Sequence, residues 1–143
     1  MSFDWNEYLQ LARQLGGMAG GAARRSSVSR AYYCAFHAAS LALKANKVVM
    51  NPRYERDRHL RVWNIYIDSA KKDCRRIGNT GQRLKLVRQE ADYEPDGNFS
   101  DVRVQRCITE AATLVADVGA NVPESFSTAA RPNRVISFLR RFF

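Results

Sequence analysis

Apolar side chains recur every three or four positions through most of this chain, and no stretch alternates apolar and polar residues over the length of a strand. Tyr8, Leu11, Ala12 and Leu15 mark a first helix over residues 4–15. DWNE at its start has the form of a capping box, with Asp4 accepting from first-turn amides and Glu7 reaching back. GGMAGG at 16–21 ends it. A second helix is predicted over 22–46, and residues 47–57, which contain Asn51-Pro52, read as a connection. From residue 58, Leu60, Trp63, Ile67 and Ala70 share one stripe of a third helix. The two glycines of GNTG at 78–81 predict a break or bend there, because glycine disfavours a helix interior. A fourth helix over 80–93 stops at Glu94-Pro95-Asp96-Gly97. Ser100 caps a fifth through residue 119, with Val104, Ile108, Ala111, Ala112 and Val115 as its apolar stripe.

The expected fold is therefore all-α, an antiparallel up-down bundle of four to five helices over residues 1–120. Residues 121–143 form a C-terminal tail, with a short docking helix expected after Pro132 from Val135, Ile136, Leu139 and Phe142. At 143 residues the chain is the size of one domain with its own core.

Composition narrows the functional classes. Apolar residues make up 45% and charged residues 26%, a globular balance. No window has the apolar length of a membrane span, and Asp4 and Glu7 stand where a signal peptide would be basic and then apolar, so a cytoplasmic protein without membrane contact is expected. Cys34, Cys74 and Cys107 have no CxxC spacing and the chain has two histidines, so neither a disulfide framework, a metal nor another cofactor is expected. The net charge of +9 comes from 18 arginines and 5 lysines. Arginine's planar fork matches phosphate oxygens, which makes RNA or a nucleotide the expected partner.

The second helix carries the candidate chemistry. Val28, Tyr32, Ala35, Phe36, Ala39 and Leu43 fall within a sector of about 100°, the width of a core-facing stripe. Arg30 and His37 lie about 20° apart on the opposite side and about 10.5 Å apart along the axis. Cys34 and Leu41 share that outer face, which suggests cover by a second subunit and hence a homodimer with the pair lining a cleft. Neutral imidazole can take the proton of an RNA 2′-hydroxyl while guanidinium holds charge growing on phosphorus. Spacing alone is a weak guide, because Arg53 precedes His59 at a similar interval.

With its neighbours the stretch is more specific. SRAYYCAFHAA at 29–39, followed by RQEADY at 88–93, resembles the HEPN domain superfamily, especially its small stand-alone bacterial and archaeal branch. RHLRV at 58–62 also fits, and the likeness covers residues 5–118. The resemblance implies a helical bundle that is commonly dimeric. It also implies either a metal-independent endoribonuclease of toxin–antitoxin, antiviral-defence or RNA-processing systems, or a catalytically silent module that binds nucleotides, nucleic acid, a nucleotidyltransferase or another protein. Arg30 and His37 match the family's Arg/His motif at its longest spacing and are the candidate catalytic residues. Tyr33, Lys44, Arg58 and His59 are candidate nucleic-acid contacts. Arg88, Asp92 and Tyr93 are candidates for bracing the second helix, and Arg30 is equally suited to pairing with Asp92 or Glu90.

Overall fold

A computed structural model describes residues 2–128. These form five α-helices and one 3-10 turn, without strands among the described residues: α1 (Asn6–Gly16), α2 (Gly21–Ala45), the turn Pro52–Tyr54, α3 (Arg58–Ile67), α4 (Lys72–Tyr93) and α5 (Asp101–Val118). The helix expected after Pro132 lies outside the described residues.

α2 is the axis of the bundle, and α1, α4 and α5 pack along it. The predicted stripe of Val28, Tyr32, Ala35, Phe36, Ala39 and Leu43 is fully buried. So are Ser27, Ala31 and Cys34, because α2 is enclosed on more than one side. This corrects the expectation for the outer face. Cys34 is covered by α1 of the same chain, lying against the backbone of Leu9, and needs no second subunit to bury it. Leu41, beyond the start of α1, remains half exposed.

α1–α2, α2–α4, α3–α4 and α4–α5 run antiparallel, whereas α3 and α5 run parallel to α2. Trp5 of the α1 entry stacks on His37 while Ser27 donates to the Ala12 carbonyl at 2.6 Å. Arg103–Glu90, Arg83–Glu110 and Arg76–Asp117 cross the α4–α5 seam in reversed order. The connection after α2 carries the chain back along it, so that α3 starts beside Tyr32 and Phe36 and its Tyr66 hydroxyl donates to Ala39 O.

Helix ends show where local chemistry decided the boundary. Asp4 Oδ1 accepts from the Asn6 amide at 3.0 Å, and Trp5 occupies the N-cap position, so α1 starts two residues after Asp4. Gly20 at φ +109° makes the turn into α2, a conformation open to glycine. Asp57 caps α3 by accepting from Leu60 N, and Ser100 caps α5 by accepting from Arg103 N, as predicted.

The break expected at GNTG falls elsewhere. α3 ends at Ile67, the chain bends through 68–71, and α4 continues through both glycines. Ser69 Oγ accepts from the Lys71 amide, and Arg75 donates to the Ser69 and Ala70 carbonyls. The glycines serve close packing of α3 on α4. A Cβ on Gly78 would fall 2.6 Å from Ile67 N, and one on Gly81 would lie inside the van der Waals envelope of the Trp63 ring. Their helix-propensity cost is offset by the approach they permit.

After α5 the chain returns to the bundle. The Glu124 carboxylate accepts from Ser69 Oγ and from Ala70 N at 2.8 Å, Lys71 Nζ donates to Val122 O, and Phe126 N donates to Val49 O at 2.7 Å.

Candidate functional site

The candidate residues converge on Tyr33, in the middle of α2. On one side the Arg30 guanidinium lies over the Tyr8 ring at 4.6 Å and over Tyr33 at 5.3 Å. On the other, the Arg88 guanidinium lies over Tyr32 at 5.4 Å and Tyr33 at 5.5 Å. His37 and His59 flank the same ring, 6.3 and 6.1 Å from it by centroid. The Arg58 guanidinium lies over Phe36, which separates the two imidazoles. The antiparallel runs of α1 and α4, and the return of the chain along α2 before α3 begins, bring the start of α1, the start of α3 and the end of α4 to one level of α2, so residues far apart in sequence meet.

His37 is half-buried, with the Trp5 indole stacked on one face. Burial first, then Arg58 and His59, hold its imidazole below the ordinary histidine range, which keeps it in the neutral form that accepts a proton.

His59 is half-buried and tied to the core by a hydrogen bond. Trp63 Nε1–H donates to the Tyr32 hydroxyl at 3.1 Å, and that hydroxyl meets His59 Nδ1 at 2.6 Å. Indole nitrogen only donates, so the hydroxyl accepts from Trp63; when it donates its own proton to His59 Nδ1, the imidazole proton sits on Nε2. Burial, then Arg88 and Lys85, hold His59 below its ordinary range, with Arg58 adding to the effect and Asp57 opposing it. Burial also pushes the Tyr32 phenol well above its usual value, so it stays a neutral relay.

The bracing residues are placed more simply. Arg88 Nη1 approaches Asp92 Oδ2 at 3.6 Å, and Ser29 Oγ donates to the same oxygen at 3.4 Å. Arg30 pairs with neither Asp92 nor Glu90; Glu90 pairs with Arg103, whose guanidinium holds its carboxyl below the usual range. Tyr93 is 73% exposed at the end of α4, and Lys44 is exposed near the opposite end of α2, so neither joins the cluster.

Four participants escaped the sequence reading. In the sequence Trp5 belongs to α1's capping stretch and Tyr8 to its apolar pattern, and Lys85 carries no assigned role. Arg25 had no assigned role, yet it ties α2 to the end of α4 through the carbonyls of Glu90, Ala91, Glu94, Pro95 and Gly97. A signal for Lys85 was its place three residues before Arg88 beside the apolar Leu84 and Ala91.

Among the described residues no cluster of His, Cys, Asp and Glu is arranged to hold a metal ion, and no helix is long and apolar enough to cross a membrane. All three cysteines are free and buried. No protein-family model matches the chain, and neither curated proteins nor solved structures give a significant match.

Proposed function

We propose that the protein is an HEPN-like, metal-independent endoribonuclease of toxin–antitoxin or antiviral-defence type, with His37 and Arg30 acting on an RNA phosphodiester. The observation that carries this reading is a half-buried imidazole kept neutral beside Arg58, with the Arg30 guanidinium one aromatic ring away. His37 takes the 2′-hydroxyl proton as that oxygen attacks phosphorus. The bond to the 5′-oxygen then breaks, the imidazolium returns the proton to the leaving oxygen, and a 2′,3′-cyclic phosphate remains. Arg30 holds the charge on the phosphoryl oxygens. A homodimer with the half-exposed Leu41 near its contact would enclose the face and let two copies share one RNA.

A second reading has its own observation. The Trp5 indole occupies one face of His37, and Arg30 is held between Tyr8 and Tyr33. A site so filled suits binding, either of a nucleotide or RNA or as one half of a pair with a cognate nucleotidyltransferase or antitoxin.

Purified protein incubated with structured and single-stranded RNA in EDTA separates them. Cleavage that survives chelation and disappears in both His37→Ala and Arg30→Ala supports the nuclease. Equal degradation by all three proteins points to a contaminant and sinks it. RNA binding without cleavage, with a dependence of log affinity on log salt that flattens in Arg30→Gln and Arg58→Gln, supports the binding module.

A further inference from the structure

Lys85 and Arg88 are buried cations with few counter-charges. Lys85 is 9% exposed and Arg88 7%. They stand three residues apart on α4 and so share a face. Gly81 meets the Trp63 ring, and α3 and α4 run antiparallel, so one turn further along each helix Lys85 comes opposite His59. Arg88 lies over the two tyrosine rings that flank His59. Its contact with Asp92 is long at 3.6 Å, and its Nε is buried without a hydrogen-bond partner. Among the described residues Lys85 enters no ion pair.

Arg88, Lys85 and Arg58 all bear on His59, and cations gathered at one seam repel one another, so the cluster works against the fold unless an anion completes it. The Tyr32 hydroxyl occupies His59 Nδ1, so Nε2 is the nitrogen of that imidazole left to meet a ligand. We infer that His59 Nε2–H, the Lys85 ammonium and the Arg88 guanidinium form, with Arg58 at the rim, a binding site for a phosphate group at the seam of α2, α3 and α4. Phosphate fits better than carboxylate because its three or more oxygens meet several cationic donors at once. The carboxylates nearest the seam are both engaged, Asp57 in capping α3 and Asp92 with Arg88 and Ser29. The inference goes beyond cleavage at His37 and requires only a bound phosphate.

The test is thermal unfolding in EDTA at fixed ionic strength, with inorganic phosphate, adenosine 5′-monophosphate, or a short oligoribonucleotide lacking terminal phosphates. Each ligand that binds raises Tm by an amount that grows with ln(1 + L/Kd), where L is the free ligand concentration. Wild type gains with at least one of the three. Lys85→Met starts from a Tm no lower than wild type, since it thins the cluster of cations, and binds that ligand at least about tenfold more weakly. His37→Ala responds like wild type, which separates this site from the nuclease reading. A response to the oligoribonucleotide alone identifies an internal phosphodiester, and a response to the monophosphates identifies a terminal one. No shift with any ligand, a Lys85→Met protein that responds like wild type, or one that melts below wild type each overturns the inference. In 15N NMR, His59 carries its proton on Nε2 in wild type, and Tyr32→Phe releases this fixed tautomer; a wild-type proton on Nδ1 removes His59 from the site.

Discussion

The indole of Trp5 lies flat on the imidazole of His37, with ring centroids 3.4 Å apart and planes 10° from parallel. Two effects of that stack oppose each other. The indole excludes water, which disfavours imidazolium, while its π-face attracts a cation by about 0.5–2 kcal/mol. Because burial is the leading cause of the lowered His37 value, desolvation wins. Trp5→Ala should therefore raise the His37 pKa toward the ordinary range, as followed by NMR titration. A fall would show that the indole stabilises the charged form.

Acid should weaken the fold in two stages. The folded-state values of His37 and His59 lie below the ordinary 6.5, so on acidification the unfolded chain takes up protons first. The stability these groups contribute is present above 6.5 and is lost as pH falls through their folded values. A second loss follows below 4.5, where Glu90 and Glu124, the latter held down to about 2, remain ionised only in the folded protein. Urea unfolding at pH 7.5, 5.5 and 3.5 should show both steps. His37→Gln with His59→Gln should flatten the first, and a wild-type stability that stays level between pH 7.5 and 5.5 contradicts the assignment.

Alanine at Gly81 gains about 1 kcal/mol of helix propensity yet forces Cβ into the Trp63 ring, and overpacking of this kind costs about 1–3 kcal/mol or more. Gly78→Ala meets the backbone nitrogen of Ile67, which cannot rotate away. Both substitutions should lower the denaturation midpoint. Gly21→Ala, which meets open space at the start of α2, should be neutral or slightly stabilising.

Arg25 ties α2 to the last turn of α4 through five carbonyls at 2.8 to 3.4 Å and stacks over Phe99. Arg25→Met should cost about 2–3 kcal/mol, since the carbonyls lose a charged donor. Arg25→Lys should recover less than half, because an ammonium cannot span them as a planar fork does. Hydrogen exchange over residues 90–97 should accelerate in both variants. Unchanged exchange there would mean that the cap contributes nothing.

The sequence was most legible where one local rule decided the outcome. Ser100 and the periodicity of α5 placed that helix to within a residue, and the stripe from Val28 to Leu43 is the buried face of α2. Legibility failed where a distant residue overrode the local rule. GNTG reads as a breaker until Trp63 and Ile67 are known to press against it. The outer face of α2 called for a second subunit because nothing in the sequence places Leu9 over Cys34. For the site, the residues of α2 were visible as a pattern, whereas the meeting of His59 with Tyr32, and of Lys85 and Arg88 with both, depends on how α3 and α4 return along α2. Lys44 and Tyr93 illustrate the converse, since membership of a basic helix or a recurrent motif does not bring a side chain to the cluster.

The segment that follows α5 is pinned where two helices stop, to the Ser69–Ala70 elbow after α3 through Glu124 and to Val49 after α2 through Ser125 and Phe126. Tension applied beyond residue 128 would thus be borne first by those two junctions rather than by α5. Cargo fused at that end would tug on the loops where α2 and α3 finish, making the C-terminal side a mechanical handle on the end of the bundle away from His59.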